Sequence, residues 1–545
     1  MKISKFAEAR RSAPLNRLLY SPAAEVRAGV KEIVEEIVES GKVYKRPPSK
    51  KSRLVAAVQL LVLNFLRLRY SDPKRLLAAG FRKSDYASGP VSYLHMRKAR
   101  DGMLNIGLLE LAENGFYDPK TGKGLRSRYR AGARLFEICV KHQVRPCMIL
   151  AKERRALVQL RGKKSENGEA QIVAWPRASK GEQRAMTSNL RKINQALRES
   201  LVALHVPDTT LDQIQVDLGH RDGYIDFFDK DLYRVFNDGN PHLGGRFYGG
   251  WWQNVPSEYR KFIHIIQPGT WPTYNREIDY SGMQPRILYA EQGLVGGDDL
   301  YAMAKYDTAV NEAARNVVKM LLLQMLNAES EEKALDAAKS EIVKNCDDKW
   351  AKAHPSKKRP KMTIEEMLPQ GCPPLKQLMA DIKEQHQPIA THFCSGAGKR
   401  LMYADSMIAE AVMLRMIDAG AVILPIHDSF IVRHEFADKL KEAMRDEFCK
   451  FTGFDAPTKL DESELEAHKK ARGPMRIEAR GYLQTNTEAT ERKRREYSIY
   501  TTLKEDWMAS DKRAHPKLMS KGIPNELYTA PFGRRYHSTR RKLTA

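Results

Sequence analysis

Cysteine is scarce in this chain. Six occur in 545 residues, none in a Cys-x-x-Cys pair. That argues against a disulfide framework and a zinc module, and a reducing, intracellular setting is expected. Long apolar runs are missing too. The longest, Leu54 to Leu66, contains Gln59 and Asn64 and falls short of the roughly 20 residues that span a bilayer, so a buried core helix is expected there. The basic N-terminus leads into no apolar stretch or small-residue cleavage site, and a cytoplasmic protein with no membrane partner is expected. Internal repeats are absent. Acidic residues are outnumbered, 67 against 92 Lys and Arg, leaving a formal charge of +25. A field of that sign attracts polyanions, which makes nucleic acid the leading partner class.

At this length more than one core is expected. Polar stretches at 44–53, 161–183 and 351–362 read as linkers or surface loops. We divide the chain into an N-terminal unit (1–145), a connecting region with an amphipathic helix near 186–204 (146–240), a central unit (241–455) and a basic C-terminal extension (456–545). Within the first, two helical patterns precede a third from about Val91 to Leu108. Strand-like segments then flank Asp118-Pro-Lys-Thr-Gly-Lys-Gly124, a Gly- and Lys-rich string that suits a hairpin tip. Arg126, Arg128 and Arg130 alternate, so on an extended strand all three would share one face and could follow a row of phosphates. Helices leading into a basic hairpin resemble a winged-helix module, which would bind DNA with one helix in the major groove.

The densest pattern begins at Gly244-Gly-Arg246 and continues through Gln253-Asn254-Val-Pro256 to Ile278-Asp279-Tyr280-Ser-Gly-Met-Gln284-Pro-Arg286. A carboxylate closing an apolar strand can project into a cleft and hold Mg²⁺, a hard cation that wants oxygen ligands. One such Asp would be an ordinary turn residue, so Asp279 needs a partner. Two apolar runs flanking His427-Asp428-Ser429 read as a hairpin with Asp428 at its tip. Between the two acids, Arg315, Lys319 and Leu323 recur every fourth residue and share a helix face. The helix after Ser395-Gly-Ala-Gly-Lys-Arg400 is not a P-loop, because the glycine spacing is wrong and no strand precedes it.

Taken in order, these elements resemble family A DNA polymerases, with the resemblance covering roughly residues 185–450. It implies an α+β fold of the right-hand type, with palm, fingers and thumb, behind the winged-helix-like N-terminal domain. It also implies template-directed nucleotidyl transfer to a DNA primer-template from nucleoside triphosphates, using two Mg²⁺ ions for which Mn²⁺ can substitute. Asp279 and Asp428 would be the catalytic metal ligands, helped by the backbone carbonyl of Tyr280. Arg315, Lys319, Gln284 and Asn327 would face the nucleotide, while Arg246, Gln253, Asn254 and His427 would contact primer and template; Arg126, Arg128 and Arg130, outside the span of this resemblance, are also expected to bind primer or template.

Three positions depart from the family pattern. Gln284 stands where a Glu excludes the ribose 2′-hydroxyl, Asn327 where an aromatic ring flanks the nascent pair, and Ser429 where most members carry Glu. The last resembles the single-subunit phage and mitochondrial RNA polymerases. An RNA polymerase or primase of the same palm fold, with RNA among its partners, is therefore a second expectation. A DNA-binding replication initiator that has lost catalysis is a third. No Asp-x-Glu opens a nuclease domain, and the basic C-terminus, including Arg492-Lys-Arg-Arg495, reads as a solvated arm.

Overall fold

A computed structural model describes residues 11–43, 51–81, 83–86, 91–117, 124–154, 156–165, 168, 170–219, 223–270, 272–308, 311–354, 359–460 and 496–514. Helices and small sheets mix throughout, and the buried apolar side chains gather into two cores.

The first core is built by the helices Ala24–Glu39, Ser52–Arg69, Tyr93–Asn105 and Ala133–Lys141. In Ala24–Glu39 the buried Val26, Val30, Ile33, Val34 and Ile37 recur at helical spacing, giving one apolar stripe. The apolar run of the next helix is buried on nearly every side, from Leu54 to Leu68. Beside the helices lies a four-stranded sheet in the order Ser12–Pro14, Leu76–Ala79, Ser127–Ala131, Leu109–Glu113. The last two pair antiparallel with a register shift between Leu111 and Glu113. The short strands Phe116–Tyr117 and Gly124–Leu125 extend them, and the intervening tip, 118–123, lies outside the described residues.

This sheet corrects one expectation. Arg128 does not share an open face with Arg126 and Arg130. It is buried and ion-paired with Glu113, because the strand is an inner one whose neighbour supplies a carboxylate across the ladder. Arg130 is exposed.

The second core surrounds an antiparallel sheet in the order Ile423–Ile426, Ser429–Arg433, Asn275–Tyr280, Thr458–Leu460. Behind it pack the helices Gly398–Asp418, Ala437–Thr452 and Met283–Glu291. A long apolar helix with two buried acids needs counter-charges, and Glu410 of Gly398–Asp418 finds one in Arg234 at 2.7 Å. Arg234 also donates to Gly245 O at 2.7 Å and Ser406 Oγ at 2.9 Å, tying the strand Gly244–Tyr248 to this helix. Gly245 adopts φ 90°, and a side chain there would collide with Phe236 and Ser406.

The segment expected to be helical through residue 204 divides. The helix is Lys180–Arg198, and Leu201–Leu204 forms a wholly buried strand against Ile263–Ile266. Four consecutive apolar residues fit either state, and the partner strand decides.

The cores meet through polar contacts. Arg67 pairs with Asp226 at 3.0 Å, both of them buried, and Gln215 Nε2 donates to Ser71 O at 3.1 Å. The C-terminal extension is not all solvated arm. Its helix Ser498–Ala514 lies across both cores, with Tyr500 Oη 2.7 Å from His264 Nδ1, and Asp506 accepting from the Cys147 amide at 2.6 Å. Arg492 to Arg495 and the residues beyond 514 lie outside the described residues. No helix among those described is long and apolar enough to cross a membrane.

Candidate active site

The strand Asn275–Tyr280 presents alternate residues to opposite faces, so Glu277 and Asp279 share one side. Its register places Asp279 opposite Ser429, the residue directly after Asp428. The two acids, distant in sequence, therefore stand side by side at one end of the sheet's two inner strands. The turn that delivers Asp428 is tight: strand ends at Ile426 and resumes at Ser429, with His427 held at φ 59°. A non-glycine residue in that region is strained, which is the cost of so short a turn.

The electrostatics follow from this juxtaposition. Burial and then the neighbouring charge of Asp428 push the Asp279 carboxyl up to about 8, against a downward pull from Lys319. Its Oδ1 is buried and has no hydrogen-bond partner among the described residues. Such an orphaned oxygen beside a second acid is an arrangement that a cation relieves. Two carboxylates with a backbone carbonyl are hard oxygen donors and fit a divalent ion of the Mg²⁺ type. No cluster of three or more His, Cys, Asp or Glu side chains suited to a metal occurs among the described residues.

Cations flank the pair. Lys319, on the helix Glu312–Asn327, is exposed and lies with its Nζ 5.7 Å from the ring centre of Tyr301. Arg315 sits one turn earlier over the same ring at 5.4 Å, and forks onto Asp299 with two contacts of 2.9 Å. Arg246 approaches Asp428 closely enough to feel its charge. It is held by Asp405, as is Gln284, whose Nε2 lies 3.2 Å from that carboxylate. His427 is exposed at the turn. Tyr280 turns inward, its hydroxyl donating to Met444 O at 2.6 Å.

Other expected site residues lie elsewhere or are otherwise engaged. Gln253 donates to the carbonyls of Phe247 at 3.0 Å and Pro425 at 3.2 Å, and Asn254 to Tyr224 O at 3.2 Å. Their amides brace the backbone, because the neighbouring Trp251 and Trp252 are buried and their loop must be anchored. Asn327 donates to Leu323 O at 2.7 Å, and its side chain occupies the space left by the missing side chain of Gly398. Ser429 donates to Glu277 at 2.8 Å, which Arg260 also binds at 3.0 Å. Arg126, Arg128 and Arg130 belong to the first core's sheet rather than to this group.

Four residues at the site had no assigned role. Tyr301 is buried between the cations and the acids, and burial followed by the charges of Asp428 and Asp279 pushes its phenol up to about 12. Arg286 pins the loop before Tyr301 by donating to Ser281 O at 2.6 Å and to Gly297 O and Asp298 O at 2.9 Å. Asp299 then holds Arg315. Asp405 could have been found from spacing: it falls between Leu401 and Ile408 on the apolar stripe of its helix, where an acid stands out.

No protein-family model matches this chain, and no curated protein matches it. Among solved structures, the chain has a weak similarity to the POL domain of Pol1 from M. smegmatis, in complex with DNA primer-template and dNTP. That similarity spans 55% of this chain and 57% of the other, with 13% sequence identity and a TM-score of 0.21. The chain thus matches little more than half the length of that structure, and the superposition is too loose to carry an argument about the site.

Proposed function

We propose that this protein is a template-directed nucleotidyl transferase, a DNA polymerase of the right-hand type that extends a primer in the replication of a mobile element, phage or plasmid. One observation carries the reading: Asp279 and Asp428 meet at the end of adjacent strands, one with an orphaned buried oxygen, beneath a helix that offers Arg315 and Lys319.

In this reading Asp279 and Asp428, with the carbonyl of Tyr280, would hold two Mg²⁺ ions, for which Mn²⁺ could substitute, and these would supply activation of a primer 3′-hydroxyl and neutralisation of charge at the leaving pyrophosphate. The chain itself supplies position. Lys319 and Arg315 bind the triphosphate, Arg315 exchanging Asp299 for phosphate oxygens, since a guanidinium fork fits either. Tyr301, a flat buried ring under both cations, keeps them level with the acids. Arg246 touches the primer-terminal pair and His427 the primer end. Positioning and charge do most of the work in phosphoryl transfer. The N-terminal core serves as a winged-helix-like module on flanking duplex, with Arg126 and Arg130 near phosphates and the whole basic surface drawing DNA in.

The palm is then the sheet with its backing helices, the fingers the region of Glu312–Asn327, and the thumb the helix Lys180–Arg198. A second reading, an RNA polymerase or primase on the same scaffold, is favoured by Gln284, whose amide is bonded to Asp405. An inactive replication initiator is the third.

Incubating the purified protein with labelled primer-template, Mg²⁺ and either nucleotide set tests all three. Extension with deoxynucleotides is expected, abolished by Asp428→Asn. Equal or better use of ribonucleotides would favour the second reading, and DNA binding without any synthesis the third.

A further inference from the structure

We propose that Asp405 is a positioning residue that holds Arg246 and Gln284 together, linking recognition of the primer end to the choice of sugar; this rests on the polymerase reading above. Asp405 lies within the helix Gly398–Asp418 and is 2% exposed. A buried carboxylate with no partner would be costly. Its Oδ2 instead accepts from Arg246 Nη2 at 2.5 Å, Arg246 Nε at 3.1 Å and Gln284 Nε2 at 3.2 Å, while Oδ1 lies 3.3 Å from Arg246 Nε.

Those contacts decide what each partner has left to offer. The Nη1 atom of Arg246 makes no hydrogen bond among the described residues, and its side chain is 17% exposed, so that edge of the fork remains for a ligand. Gln284 gives its amide N–H to Asp405, which fixes the opposite atom, the carbonyl oxygen, as the free one. A carbonyl oxygen accepts from a ribose 2′-hydroxyl without the desolvation cost that a charged carboxylate of the same size would carry at this buried position. Asp405 is not a further metal ligand, because its oxygens already receive the N–H groups of Arg246 and Gln284.

The test uses the full chain with Asp405→Asn, Arg246→Ala and the double variant. Affinity for a 3′-recessed duplex is read by fluorescence anisotropy, and kcat/KM for ribo- and deoxynucleotides by extension. We expect Arg246→Ala to weaken duplex binding about tenfold, Asp405→Asn to weaken it about threefold, and the pair to be no worse than Arg246→Ala alone. We also expect Asp405→Asn to lower the ribo-to-deoxy ratio by about threefold or more, because the Gln284 amide is then free to flip. That ratio is independent of the active fraction, so a helix merely loosened by the substitution would not move it.

Additive binding effects with an unchanged ratio would overturn the proposal. So would an unchanged ratio accompanied by a raised Mg²⁺ requirement, which would make Asp405 a ligand. Should Asp405→Asn not fold, Arg246→Ala and Gln284→Ala are combined instead: coupling between them is expected, and additivity overturns the link. A wild-type protein that neither binds the duplex nor extends it removes the polymerase reading itself, and this inference with it.

Discussion

Replacing Asp279 by Asn should make the metal-free protein more stable while abolishing synthesis. The carboxyl is raised from 3.8 to about 8 by burial and by Asp428. Holding it ionised above pH 8 therefore costs at most about 5–6 kcal/mol, at 1.36 kcal/mol per pKa unit. The carboxylate keeps partial contact with water and the local structure can relax, so about 2 kcal/mol is the working figure. The amide loses no hydrogen bond at Oδ1, which has none among the described residues, and its N–H₂ can donate to Asp428. At roughly 2 °C per kcal/mol for a large core, Tm should rise by about 3–5 °C.

The sign of the pH dependence is fixed by the same shift. A carboxyl whose pKa is raised by folding keeps a proton that the unfolded chain has released, so the native state binds more protons between pH 4 and 8. Stability from this group is therefore greatest below the unfolded value and is lost as pH climbs through about 8. The gap between variant and wild type should roughly double from pH 6 to pH 8.5. Differential scanning calorimetry with a chelator, then with Mg²⁺, reads both. Mg²⁺ should raise the wild-type Tm at pH 8.5 and leave the variant unmoved. A variant no more stable than wild type at pH 8.5 would refute the reasoning, since the acids would then not be repelling one another.

Further outcomes follow from other contacts. Asp428→Asn should lower Mg²⁺-dependent extension by more than about 100-fold, read on a sequencing gel, with duplex affinity changed far less. Gly398→Ala should destabilise by about 1–3 kcal/mol, because the new methyl group meets Asn327; adding Asn327→Ala should recover most of that in chemical denaturation. Arg67→Met should cost about 3–5 kcal/mol by stranding Asp226, and limited proteolysis should then separate the two cores. Arg286→Ala should raise the KM for nucleotide more than it lowers kcat, because the loop carrying Asp299 and Tyr301 loses its anchor.

Residues whose role depends on near neighbours in sequence were legible before any fold was known. The hairpin around Asp428 follows from two apolar runs and a polar tip, and the shared face of Arg315 and Lys319 from a four-residue spacing. Residues whose role depends on a partner from another element were not. Gln253 and Asn254 read as ligand contacts because nothing local shows that backbone carbonyls of Pro425 and Tyr224 will reach them. Arg128 reads as a phosphate contact until the strand beside it brings Glu113 across. The same reason hides the Asp299 link to Arg315 and the burial of Leu201–Leu204. Polar side chains that serve a fold and those that serve a ligand are chemically alike, and only the inventory of hydrogen bonds separates them. That separation sharpens the site: with Gln253, Asn254 and Ser429 engaged internally, the groups with capacity left near the acids include, among the described residues, Lys319, one edge of Arg246 and the oxygen of Gln284. A triphosphate, a primer end and a sugar hydroxyl would meet these three in turn.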